Sequence, residues 1–320
     1  MRNYEYNYIN IIREKVVPDA HKKQYGSYMS FDDKPLSPGC MACKSGGWMC
    51  AFIGTRCNCS CPHCPNPNVN DGIDISTVSG FNGELDINFI LTELERPFYK
   101  GVGISGGEPL LYMDKLVEWI TKIKAKFPNM YVWNYTNGVY ATIKNLKRLA
   151  DAGVDEVRFD LAADNYSKRT LDNLKTATQI IPNVGIEVPV ILEQYSDLIK
   201  AIDFADKCGV KYLNLHDLYI NETIYKKGLG GYIMFYDKIS GIQRDVINSS
   251  MLIYKILRHI KDNNLNIIPN DCTLINMQMQ YFSCDYQTYC RKEGTEIPFE
   301  EYMDQIFKSY PEEMLLIDNI

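Results

Sequence analysis

Between residues 50 and 218, short apolar runs alternate six times with segments of helical period, and no other feature of this 320-residue chain limits its fold as strongly. The runs fall at 51–54, 101–104, 130–133, 157–161, 184–191 and 211–216. Each is too short for a helix, and each is followed by apolar residues at three- and four-residue spacing, as in Met113, Leu116, Val117, Ile120, Ile123 and Phe127. Asp86 is placed to cap one helix and Gly153 to end another, while Pro128 stops a third. Strand and helix in strict alternation predict repeated βα units around a parallel sheet. In such folds reactive groups gather at the C-terminal ends of the strands, where the loops are free to vary.

The first strand runs into Cys57, Cys61 and Cys64, a C-x3-C-x2-C loop. One short loop of that spacing can wrap a cubane [4Fe–4S] cluster with three thiolates, whereas an electron carrier normally supplies four. One iron is then left for another ligand. The second strand leads into Gly106-Gly107-Glu108-Pro109, a turn in which missing Cβ atoms let backbone approach a neighbour closely. Taken alone, the turn could be only a tight turn and the loop only a zinc knuckle. Together, at consecutive strand ends, they favour the cluster.

These residues resemble the radical SAM superfamily. Cys57, Cys61 and Cys64 match its cluster loop, with His63 where an aromatic residue is usual, and Gly106 to Pro109 match its glycine-rich stretch. The resemblance implies a partial (β/α)6 barrel over 50–218, behind a cysteine-rich extension at 1–49 and before a mostly helical, irregular segment at 219–320 that covers the barrel. It implies a [4Fe–4S] cluster, and S-adenosylmethionine (SAM) held through its amino group by Gly106, Gly107, Glu108 and Pro109. Asn137, Asp160 and Asn214, with Glu187 beside them, would meet the ribose and carboxylate; for each, a satisfied rim residue is the equal alternative. His216 reads more readily as a packed rim histidine. The implied activity is reductive SAM cleavage and hydrogen abstraction by the 5′-deoxyadenosyl radical, fed by a flavodoxin or ferredoxin type reductant and sensitive to oxygen. Within the superfamily the chain is most similar to the group related to pyruvate formate-lyase activating enzymes, which implies a peptide or protein substrate.

Seven of the eleven cysteines lie between residues 40 and 64, too dense for a disulfide framework. Cys40-x2-Cys43, with Cys50 and Cys59, forms a candidate site for a second iron or zinc, the alternative being partly buried thiols. This lead-in is similar to archaeal methyl-coenzyme M reductase arginine methyltransferases, so radical C-methylation stands as a second reading. A non-catalytic zinc or iron–sulfur protein is the third. Cys272, Cys284 and Cys290 make a looser late group, one of which could complete the N-terminal site or serve a substrate radical; Cys208 reads as core. Beyond residue 218 the βα rhythm stops, with a Gly228–Gly231 joint, an amphipathic stretch from Met251 to Ile260, and late aromatics such as Tyr281 and Tyr286.

Composition narrows the partners. A net charge of −6 argues against nucleic acid, which needs clustered basic residues. No apolar run nears the roughly 18 residues of a membrane span. With no signal-like apolar core at the start, a cytoplasmic protein is expected.

Overall fold

A computed structural model describes residues 2–24, 26–64, 72–220, 222–227, 235–237, 242–244, 246–294 and 297–309. The Gly228–Gly231 joint lies outside them. Seven parallel strands stand side by side in chain order: β1 (Trp48–Phe52), β2 (Gly101–Ser105), β3 (Tyr131–Thr136), β4 (Glu156–Phe159), β5 (Asn183–Pro189), β6 (Tyr212–His216) and β7 (Ile268–Cys272). The two-residue strand Thr77–Val78 pairs antiparallel on the outer side of β1. The first and last strands of this eight-membered sheet do not pair, so the barrel is partial, as the βα rhythm predicts.

The helices fall where the apolar spacing puts them. Met113–Lys126 buries Leu116, Trp119, Ile120 and Ile123 on one face. Asp86 caps Ile87–Glu93 by accepting the Phe89 N–H at 3.0 Å. Gly153 ends Ile143–Ala152 in the left-handed conformation, φ 92°.

Because side chains alternate across a strand, each strand has an outer and an inner row. The outer row is apolar and packs under the helices, with Val102, Ile104, Val132, Val157, Ile186 and Leu213 fully buried. The inner row is polar and aromatic: Trp133 and Tyr135 on β3, Arg158 on β4, Glu187 on β5, Asn214 and His216 on β6, and Asn270 and Cys272 on β7 line a common interior. Gly101 and Gly103 on β2 leave room there for the Trp133 indole; a Cβ at either would lie 2.8 or 2.7 Å from it.

Two features depart from the sequence reading. Pro38–Lys44 is a helix, capped by Ser37 with Pro38 in its first turn, rather than a metal-binding loop. It packs on β2 and β3 from within the barrel. The βα rhythm also continues past residue 218: helix Val246–Asp262 leads to β7, which pairs with β6 over Ile268–Cys272.

Candidate functional site at the strand ends

The cysteine loop and the glycine turn are one structure. Gly107 N donates to Gly54 O at 3.0 Å, and Glu108 N to Arg56 O at 2.8 Å. A Cβ on Gly106, whose φ is +144°, would sit 2.5 Å from Gly54 O, and one on Gly107 would sit 2.2 Å from Arg56 O. The close approach expected of a ligand is therefore made first by the backbone entering the cysteine loop. At the outer side Tyr112 packs on the Arg56 guanidinium, accepts from Arg56 N at 2.7 Å and donates to Asp74, which also pairs with Arg56 at 2.9 Å.

Glu108 is fully buried and faces inward to the protein. Its Oε1 accepts from Leu110 N at 3.0 Å and Thr136 Oγ1 at 2.8 Å, and its Oε2 from Asn137 N at 2.7 Å. Burial pushes its pKa up to about 7 against the pull of these donors. Its side chain braces the end of β2 to the end of β3. Pro109 opens the short 3₁₀ turn that follows and is buried with Leu110.

Around this brace the structure gathers Asn137, Asp160 and His63. Asn137 Nδ2 donates to Asn58 Oδ1 at 2.9 Å and stands 3.8 Å from Cys57 Sγ. Asp160 caps the turn after β4 through Ala162 N at 3.1 Å and holds His63 Nε2 at 3.3 Å. His63 is buried, and its Nδ1 has no hydrogen-bond partner among the described residues. Asn214 is not among them. It lies in the middle of β6, two residues before the strand's end, and donates to Glu187 Oε2 at 3.0 Å inside the barrel.

The four loop sulfurs are half-buried neighbours. Burial raises the Cys61 pKa, and Asp160, Cys59, Cys64 and Cys57 raise it further. Burial raises Cys57 as well, and takes Cys59 up to about 11. So many thiols and a carboxylate in one half-buried place cannot all ionise unless positive charge joins them, and a metal cluster brings that charge. The donor set fits an iron–sulfur group, although as built no three His, Cys, Asp or Glu side chains among the described residues close on one ion.

The candidate second metal set is not brought together. Cys40 and Cys43 lie one turn apart on helix Pro38–Lys44 and face the interior cavity, while Cys59 sits with the loop sulfurs. Burial takes Cys40 up to about 11 and Cys50 up to about 12, as inert thiols. A helical C-x2-C lacks the folded-back loop of a zinc knuckle. Of the late cysteines, Cys272 alone lines the cavity; Cys290 is packed in the core and Cys284 is exposed. The sequence reading singles out Cys272 only as one of three late cysteines and takes His216 as a packed rim residue; the structure places both, with Glu187, on the interior cavity.

Comparison with protein families matches residues 52–224 to the Radical SAM superfamily. A Methanocaldococcus jannaschii protein, provisionally named a glycyl-radical enzyme activating enzyme, is 27% identical over 253 residues. The alignment covers 76% of this chain and 66% of that protein's length. Among solved structures, Streptococcus suis SuiB bound to precursor peptide SuiA aligns with a TM-score of 0.49 at 13% identity, covering 68% of this chain and 47% of SuiB. The FeFe-hydrogenase maturase HydG from Carboxydothermus hydrogenoformans aligns with a TM-score of 0.45 at 11% identity, covering 84% and 66%.

Proposed function

This chain belongs to the radical SAM superfamily, and from that premise we propose that it is an enzyme that cleaves SAM reductively and abstracts hydrogen from a polypeptide substrate. The observation that carries the reading is the joint between the Cys57–Cys64 loop and the Gly106–Pro109 turn, made by Gly107 N on Gly54 O and Glu108 N on Arg56 O. Those thiolates would hold a [4Fe–4S] cluster, which would supply the electron for reductive cleavage of SAM.

The chain's own groups have separate tasks. Cys57, Cys61 and Cys64 supply the thiolates, and the Asn137 amide, 3.8 Å from Cys57 Sγ, donates toward one of them. Glu108 fixes Asn137 through its backbone N–H, so the brace acts through a neighbour. The Gly106 and Gly107 backbone would receive the SAM methionine, and the Asp160 carboxylate, one-third exposed, would take the ribose hydroxyls. His63, within the loop, ties it to Asp160 at 3.3 Å. Electrons come from a flavodoxin or ferredoxin type donor.

Two observations support a polypeptide substrate. The M. jannaschii relative is named for activating an enzyme, hence for acting on a protein. The sheet does not close on itself, and the barrel interior offers Asn270 Oδ1, a buried acceptor with no partner among the described residues, suited to an N–H donor. Anaerobically reconstituted protein given SAM and dithionite is expected to form 5′-deoxyadenosine. Cys57→Ser, Cys61→Ser or Cys64→Ser should abolish it. Continued formation in all three variants, or none in wild type with an intact cluster, would remove the reading.

A further inference from the structure

The barrel encloses a cavity of about 90 Å³ lined in part by Cys43, Tyr135, Glu187, His216, Asn270 and Cys272. None of these holds the cysteine loop. Cys272 ends β7 and is in register with His216 at the end of β6. The His216 ring hydrogen-bonds the Cys272 thiol on one side, and its Nε2 lies 3.0 Å from Glu187 Oε1 on the other. An ionised carboxylate only accepts, so Nε2 carries hydrogen and Nδ1 is left for the thiol. Glu187 Oε2 in turn accepts from Arg158 Nη1 at 2.8 Å and from Asn214 Nδ2 at 3.0 Å. Burial works against its charge, yet Arg158 and His216 hold its pKa down to about 2. Thiol, imidazole and oriented carboxylate thus follow one another in the order by which a base takes a thiol proton and a third group steadies the base.

The other cysteines of the cavity are a control built into the fold. Cys40 and Cys43 share the space, and burial pushes both upward. Cys272 meets the same burial, but His216 and then Lys44 outweigh it and bring the thiol below its ordinary value. The titratable groups that face Cys272 are Cys40, Cys43 and Lys44 from helix Pro38–Lys44, Glu187 from β5 and His216 from β6. Two positive groups against one carboxylate favour the thiolate. Asn270 Oδ1, on the strand that carries Cys272, asks an occupant for an N–H or O–H.

We infer that this cavity seats the reacting part of the substrate and that Cys272 is its catalytic acid–base group, with His216 and Glu187 as positioning residues. The inference rests on the reading that the substrate enters the barrel. The Cys272 sulfur, as thiolate, takes a proton from an acidic X–H of the occupant and becomes the thiol; the occupant keeps the electron pair, and the reverse transfer returns the proton. No electron is exchanged with the sulfur. The substrate class is a polypeptide group with an N–H for Asn270 and an ionisable X–H for Cys272.

The test is pulsed iodoacetamide labelling of the anaerobically reconstituted holoenzyme between pH 5 and 9, with each cysteine peptide quantified by mass spectrometry. At pH 6.5, Cys272 is expected to react more than tenfold faster than Cys40 and Cys43, one pKa unit being a factor of ten, with a midpoint below the roughly 8.5 of a free thiol. His216→Asn should move that midpoint upward. Equal rates at the three cysteines, no reaction at Cys272, or an unmoved midpoint in the variant would each overturn the inference. If the variant does not fold, the wild-type comparison still decides. Formation of 5′-deoxyadenosine by the wild type, measured in parallel, reports on the radical reading separately.

Discussion

At the scale of single residues, Glu108 and Gly107 show how a ligand-facing motif is made rigid from behind. A buried carboxylate with three donors holds two strand ends at fixed spacing, and its pKa of about 7 makes that brace pH-dependent. The unfolded chain releases this proton near pH 4.3 and the folded chain near 7, so between those values the folded state binds more protons. Stability from this group is complete below the lower value and declines as pH rises through the upper one. The thermal midpoint of the wild type should therefore fall from pH 5 to pH 8 by more than that of Glu108→Gln. Parallel curves would contradict the brace's titration. Gly107→Ala drives a Cβ into Arg56 O and is expected to cost about 1–3 kcal/mol, the range for overpacking. It should also lower iron content on reconstitution, and normal stability with a full iron load would refute the joint. The sequence made the motif's place legible, since strand, cysteines and glycines follow in order. That Glu108 turns inward was not legible, because a Gly-Gly-Glu-Pro string does not say which side of the turn its carboxylate takes.

At the scale of elements, helix Pro38–Lys44 fills the barrel that the strands only outline. Ser37 caps it and is also hydrogen-bonded to the buried Glu156 and Arg158, whose guanidinium lies 5.0 Å from the Trp133 ring. Ser37→Ala should cost about 1 kcal/mol for the cap and a further 1.5–3 kcal/mol, roughly, for hydrogen bonds to charged partners. Denaturant unfolding measures it, and a loss under 1 kcal/mol would mean that the interior network does not depend on Ser37. The Ser37-Pro38 pair announces a helix start, but the C-x2-C behind it drew the sequence reading toward a metal loop. Cysteine spacing is the same in both cases, and only the backbone between them tells a knuckle from a helical turn.

At the scale of the whole molecule, the N-terminal helix is tied to β7. Arg13, in the helix Arg2–Val16, pairs with Asp271 at 3.1 Å and donates to Tyr254 Oη at 2.8 Å, all fully buried. Asp271 also accepts from Met29 N at 2.7 Å. Arg13→Ala strands that carboxylate and should cost about 3–5 kcal/mol, as breaking a buried pair does; a change below 1 kcal/mol on thermal or chemical unfolding would refute the tie. Six strands were legible from their apolar period. The seventh was not, because Ile268-Pro-Asn-Asp-Cys272 carries a proline and two polar residues and reads as a turn. It is tolerated because β7 is the sheet's last strand, where a proline breaks no central ladder, and because Arg13 neutralises Asp271. No helix among the described residues is long and apolar enough to cross a membrane, in line with the composition. The proposed function requires a three-thiolate cluster that offers one iron to SAM. Electron paramagnetic resonance of the anaerobically reconstituted, dithionite-reduced protein, with and without SAM, tests that directly. The expected result is a reduced [4Fe–4S] signal whose g values shift when SAM is added. A signal indifferent to SAM, or a reconstituted protein without iron, would contradict the account.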